Sequence, residues 1–324
     1  MANGSLVEQL DAAVEAILAN RELPLPGVNS RIAPQVRIAA ELRDLPRADF
    51  KARLKADLER RAAMTAKAPT QFREGFHTIT PYLIVNEAAG LIDFVKQAFG
   101  AQELFRTTGT AGGIHAEVKI GDSMVMLGGG GAWRGTPTPT GIHLYVEDAD
   151  AVYERALQAG GVSLYGPVDQ PYGDREASVK DLSGNHWYIA THKGASHVPE
   201  GLRTVTPFLH PRGAPQLIDF LKQAFGAEEQ SRFQSPDGVI HHATVKIGDS
   251  MIEMGEAHGP AQPMPTTFYL YVDDVDEWYR RAIEAGATSK GEPTDQPYGD
   301  RVGGVADPFE NTWYLGTPIK NAST

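Results

Sequence analysis

The segment DQPYGDR occupies residues 169–175 and returns unchanged at residues 295–301. At the same offset LIDFVKQAFGA (91–101) returns as LIDFLKQAFGA (217–227), and one residue further on VKIGDSM (118–124) returns as VKIGDSM (245–251). A long fixed period is the signature of a duplicated structural unit. It divides the chain into two copies, residues 76–195 and 203–320, behind an extension over residues 1–75. The functional question is therefore what the copies share and where they differ.

Composition narrows the choices. The 324 residues contain no cysteine, which excludes disulfides, thiolate metal ligands and a cysteine nucleophile. The net charge of −11 is uneven: residues 1–75 carry 12 Lys/Arg and 10 Asp/Glu, so the copies hold all of the acidic excess. Acidic domains are poorly matched to a polyanion, and nucleic acid is not expected as a partner. The first residues lack the basic and apolar regions of a secretory signal, and no apolar run approaches a membrane span, so a cytoplasmic protein without membrane contact is expected.

In the extension, Ser5 and Glu8 form a capping-box signature before Leu6, Leu10, Val14, Ile17 and Leu18, which share one helical face. Two further helices are expected, one over residues 33–45 and one from there to about residue 63. Together they read as a helical cap or protein-contact arm.

Each copy alternates strands with helices. In copy 1, TPYLIV is a strand, residues 91–99 form an amphipathic helix ended by Gly100, and FRTTG, IHAEVKIGD and SMVMLGG are strands. The pattern then restarts: the strand IHLYV, a helix over residues 148–159, and three more strands. Copy 2 repeats this order, with helices over residues 217–225 and 275–285. The chain thus holds four βαβββ units, an α+β architecture.

Paired βαβββ units, the FYLYVDDVDEWYRRAIEAGA strand-helix, the GDR segment and the Asp-Pro turn before a Trp-bearing last strand resemble the vicinal oxygen chelate superfamily. That superfamily includes glyoxalase I, bleomycin and fosfomycin resistance proteins and extradiol dioxygenases. The resemblance implies two tandem glyoxalase-like domains whose strands curl into cups with helices outside. It also implies a small oxygenated ligand and an intramolecular pseudo-dimer.

Alternation assigns the cup faces. His115 and Glu117 alternate with Ala116 and Val118, and a two-residue turn at Gly121-Asp122 sets Glu117 opposite Met126. In copy 2, His242 and Thr244 face the cup, with Glu253 opposite Thr244. Thr80, Tyr82, His143 and Tyr145 are assigned to the cup of copy 1, and Thr206, Phe208, His210, Tyr269 and Tyr271 to that of copy 2, with Tyr188 and Tyr314 on the last strands. Each cup then keeps one imidazole and one carboxylate on one face, the raw material of a metal site or an acid–base pair.

Metal-dependent members of the resembled superfamily place ligands on the first and fourth strands and on the first and last strands of the paired unit. The corresponding residues here are Thr80 and Thr206, Met126 and Glu253, Gly141 and Thr267, and Tyr188 and Tyr314, so Glu253 alone is a carboxylate. Ligands drawn from both halves would join Glu253 and His242 or His210 to His143, a set suited to Fe, Mn, Ni or Zn. Glu253, His242 and His210 are the candidate catalytic residues. His115, Glu117, His143, Tyr145 and Tyr271 are candidate ligand contacts, and Arg175 and Arg301 could hold an anion at the cup mouth. Two readings stay open: a glyoxalase-like lyase or isomerase, or dioxygenase-type metalloenzyme, and a non-catalytic sequestration protein of the bleomycin-resistance type.

Overall fold

A computed structural model describes residues 73–131, 133, 137–258 and 262–319. The three helices expected before residue 63, and any contact they make, lie outside the described residues. Copy 1 contributes β1 (Ile79–Val85), α1 (Ala88–Phe99), β2 (Gln102–Thr108), β3 (Ile114–Ile120), β4 (Ser123–Gly129), β5 (Gly141–Tyr145), α2 (Ala149–Gln158), β6 (Val162–Asp169), β7 (Asp174–Lys180) and β8 (His186–His192). Copy 2 contributes β9 (Val205–Leu209), α3 (Ala214–Phe225), β10 (Glu228–Gln234), β11 (Ile240–Ile247), β12 (Ser250–Met254), β13 (Thr267–Tyr271), α4 (Val275–Glu284), β14 (Thr288–Asp295), β15 (Asp300–Ala306) and β16 (Thr312–Pro318). No helix among the described residues is long and apolar enough to cross a membrane.

The helices form for legible reasons. Asp148 and Asp274 cap α2 and α4 by accepting from the backbone N–H of Ala151 and Glu277. Gly100 and Gly226 end α1 and α3 in the left-handed conformation, and the next residues return their N–H groups to Val95 and Leu221. Both helices begin a turn earlier than the apolar periodicity indicates, at Ala88 and Ala214, with Pro215 accommodated in the first turn of α3.

The sheets do not respect the copies. One eight-stranded sheet runs β14-β15-β16-β13-β1-β4-β3-β2 and the other β10-β11-β12-β9-β5-β8-β7-β6. Each therefore joins the first half of one copy to the second half of the other, through antiparallel β1–β13 and β5–β9 pairing. This corrects the assignment of one cup to each copy. The apolar cores follow the copies, apart from Ile79 and Val205, each of which joins the other copy's core: α1 and α2 pack over Leu83, Val118, Leu144 and Trp187, and α3 and α4 over Leu209, Val245, Leu270 and Trp313. Burial of these faces is the main stabilising term. Pro81 and Pro207 sit where β1 and β9 pass from one neighbour to the other, a place where a missing N–H is tolerated.

The repeated VKIGDS segments lock the join. Asp249 accepts from the N–H of Thr78, and the Ser250 hydroxyl from that of Ile79, at 2.8 and 3.0 Å. Reciprocally, Asp122 and Ser123 accept from Thr204 and Val205 at 2.9 and 3.0 Å. Gly121 and Gly248 turn these hairpins at φ 57° and 59°, and a Cβ on either would run into the Thr204 or Thr78 side chain. His77 adds a hydrogen bond and Arg203 an ion pair to Asp249.

Before β16, Glu310 takes a positive φ, at 69°. Asn311 is buried, donating from Nδ2 to Asp307 and accepting from the Thr266 N–H. Glu310 stands where copy 1 has Gly184, which has φ 91°. Glu310→Gly should relieve the strain and raise stability by roughly 1 kcal/mol in chemical denaturation. Gly248→Ala should lower it by at least about 1 kcal/mol through backbone strain alone, with the Thr78 collision adding to that.

Candidate functional site

Alternation on β7 turns Asp174, Glu176 and Ser178 to the cup and Ala177 and Val179 to the helix-side core. The β11–β12 register sets Thr244 opposite Glu253, and β9 carries Phe208 beside Glu253. The cross-copy pair β5–β9 sets His143 beside Thr206. The second sheet thus gathers His143, Tyr145 and Glu176 from copy 1 with Phe208, His242 and Glu253 from copy 2. His143 and Tyr145 share a cup with Glu253, which the assignment of one cup to each copy kept apart and the set drawn from both halves, Glu253 and His242 with His143, brought together.

The centre of this cup is a buried imidazole between two carboxylates. His143 is 5% exposed; its Nδ1 donates to Glu253 at 2.9 Å, and its Nε2 lies 3.1 Å from Glu176, off the axis of a well-directed hydrogen bond. Glu253 also takes His242 Nε2 at 3.1 Å, and Glu176 accepts from the hydroxyls of Tyr165 and Tyr172. The Tyr145 hydroxyl lies 3.3 Å from His143 Nδ1. Burial alone would lower the His143 pKa, but Glu253 and Glu176 outweigh it and raise the pKa well above the usual value. Burial raises Glu253, and the two imidazoles outweigh that and hold it below the carboxylate range. Both shifts favour the charged imidazolium for His143 between the carboxylates.

His210 does not join this cluster. It turns Nε2 to the Tyr188 hydroxyl at 2.7 Å and packs on Phe208, with ring centroids 4.9 Å apart. Burial pushes its pKa down to about 4, so it is a neutral imidazole. Its expected pairing with Glu253 is replaced by the one to Tyr188.

The metal expectation meets a geometric obstacle. His143 addresses Oε2 of Glu253 and His242 addresses Oε1, while the other nitrogen of His143 is turned to Glu176. Three donors therefore share no common point, and among the described residues no three His, Asp or Glu side chains converge as a cation site. The donor set as arranged does not fit Fe, Mn, Ni or Zn.

Nor do the repeated arginines reach a cup. Arg175 neighbours Glu176 on β7 and so points to the opposite face, where it forks onto Asp150 in the first turn of α2 at 2.6 Å through both nitrogens. Arg301 forks onto Asp276 of α4 at 2.8 Å, and each arginine also holds the Asp that opens its DQPYGDR segment. The segment ties a hairpin to a helix start, and the anion-holding expectation for Arg175 and Arg301 is corrected accordingly.

The first sheet forms a different cup. Glu117 lies opposite Met126, and Tyr82, His115, Tyr269, Tyr271 and Tyr314 surround them. His115 Nε2 is 3.6 Å from Glu117, and its Nδ1 meets the Tyr82 hydroxyl at 2.9 Å. Glu117 is clamped by Arg73, at 2.6 and 2.8 Å. Burial raises Glu117, and His115 and Arg73 more than reverse this. Reading the sequence overlooked Arg73, Glu176, Tyr165 and Asp300. Alternation against Ala177 and Val179 would have found Glu176; Arg73 precedes the first strand and carries no periodic signal.

The charge state of His143 is directly testable. Ring 15N NMR should show His143 as imidazolium at pH 8, where an ordinary histidine is neutral, and Glu253→Gln should return its pKa toward the usual value. Because its folded pKa is raised, the His143 contribution to stability is complete below about pH 6.5 and fades as pH rises through the folded value. That of Glu253, whose pKa is lowered, is complete above its ordinary value of 4.5 and fades as pH falls through the folded one.

Comparison with known proteins gives a consistent picture. The protein named Rv0887c of Mycobacterium tuberculosis is 38% identical over 130 residues, spanning 37% of this chain and 76% of that protein. The anthracycline biosynthesis protein DnrV of Streptomyces peucetius is 28% identical over 185 residues, 54% of this chain and 64% of that protein. Glyoxalase I from Zea mays superposes with a TM-score of 0.58 at 15% identity, covering 74% of this chain and 92% of that one, a likeness of fold alone. The sequence profile of the Glyoxalase/Bleomycin resistance protein/Dioxygenase superfamily matches residues 75–189 and 212–315. With both copies matched, over more than half of its length, the chain belongs to the Glyoxalase/Bleomycin resistance protein/Dioxygenase superfamily.

Proposed function

We propose that the second cup binds a small oxygenated aromatic molecule through its hydroxyl groups, and that the protein acts as a binding or sequestration protein. The observation that carries this reading is the buried His143 ring held between Glu253 and Glu176. A group that shuttles a proton near neutral pH needs a pKa near neutrality. His143 and Glu253 are shifted away from it in opposite directions, so the pair is fixed in its charged form.

Charge also selects the ligand. Two carboxylates against one imidazolium leave the cup rich in acceptors, while Arg175 and Arg301 are engaged on the opposite face. A ligand offering O–H donors suits such a site better than a carboxylate or phosphate. Tyr188 and Phe208, with ring centroids 5.4 Å apart, and the half-exposed His242 supply aromatic surface beside it. The name of DnrV, an anthracycline biosynthesis protein, is in keeping with a hydroxylated aromatic ligand.

The test uses protein purified without added metal. Catechol or a dihydroxyanthraquinone should raise the melting temperature saturably, benzoate and phenyl phosphate should not, and Glu253→Gln should abolish the shift. Stoichiometric Fe, Mn, Ni or Zn that is lost in Glu253→Ala would instead establish the metalloenzyme reading.

A further inference from the structure

The first cup holds an occupant supplied by the chain itself. Arg73 lies ahead of β1, and its guanidinium reaches Glu117 on the cup face of β3, donating through both terminal nitrogens at 2.6 and 2.8 Å. Glu117 is 3% exposed, whereas the Arg73 side chain is 50% exposed, so the cation enters from the mouth and meets a carboxylate on the floor. The guanidinium also lies 4.8 Å over the Phe76 ring and engages the Tyr271 hydroxyl. Phe76 is itself buried edge-on against Tyr271, with centroids 5.5 Å apart. Tyr82, Trp133 and Tyr314 continue the aromatic wall, and Asp300 adds a second carboxylate that accepts from Tyr269.

A buried carboxylate ringed by aromatic faces is the environment that recognises an organic cation. The repeat separates this arrangement from ordinary scaffolding. The stretch REGFHTITP (73–81) returns as PEGLRTVTP (199–207), so Pro199 stands in the place of Arg73 and Leu202 in that of Phe76. Thr244 stands in the place of Glu117. Arginine, phenylalanine and carboxylate are present together in copy 1 and absent together in copy 2, while the Glu-Gly between them is kept. The fold therefore does not require the clamp.

We propose that the first cup is a binding site for an organic cation, a guanidinium or amine on an apolar body, and that Arg73 occupies it as a tethered ligand that an incoming cation must displace. Tethering lowers the apparent affinity for a free ligand by the fraction of molecules in which the cup is closed. This proposal is independent of the reading of the second cup.

The test is titration calorimetry of the full chain with phenylguanidine. Arg73→Ala should bind it at least about tenfold more tightly than the parent protein, and the added Glu117→Gln should abolish that binding. Arg73→Ala leaves a buried carboxylate unpaired and could impair folding. Arg73→Lys keeps the charge but loses the fork, and is expected to bind phenylguanidine more tightly than the parent protein as well. Equal affinity in the parent protein and both variants, or affinity that Glu117→Gln leaves unchanged, would overturn the proposal.

Discussion

Both cups depend on the cross-copy strand join. Neither copy closes a sheet on its own: β1 needs β13 on one side and β4 on the other, and β9 needs β5 and β12. The join is short, three paired residues at one place and four at the other. The Asp122/Ser123 and Asp249/Ser250 grips on the opposite copy reinforce it, and the glycines that turn those hairpins leave room for the Thr204 and Thr78 side chains. The repeated VKIGDS segment therefore records assembly rather than chemistry, as does DQPYGDR, whose arginine ties a hairpin to a helix start.

Equivalent positions in the two cups have diverged in charge. Glu253 and Met126 correspond, as do Thr244 and Glu117, so the carboxylate stands on β12 in one cup and on β3 in the other. His143 corresponds to Tyr269, and Glu176 to Val302. The second cup builds an internal ion cluster in which two carboxylates fix one imidazolium. The first leaves its carboxylate to be matched by a cation from outside the sheet, and Arg73 supplies it. Duplication thus produced two cups of different chemistry on one scaffold.

Much of the fold was legible in the sequence. The period revealed the copies, alternation in residues 115–120 placed His115 and Glu117 on one face, and the Gly-Asp turns set the Glu117–Met126 and Thr244–Glu253 registers that the sheets show. The exchange of halves between sheets was not legible, because internal periodicity says which units exist and not which edges they share. Assigning one cup to each copy thus misplaced Tyr145, Tyr269 and Tyr271 by a whole cup, and only the ligand set drawn from both halves brought His143 to Glu253. The strained φ of Glu310 is also not legible: it falls on an exposed residue because its neighbour Asn311 is buried and held by Asp307 and Thr266.

The most direct test of the second cup is a crystal structure at neutral pH with anomalous diffraction measured at the iron, nickel and zinc edges. It should show His143 between Glu253 and Glu176, each nitrogen turned to a different carboxylate, with no anomalous peak among them. A peak ligated jointly by Glu253, His143 and His242 would contradict the charge-fixed binding cup and make this a metal centre.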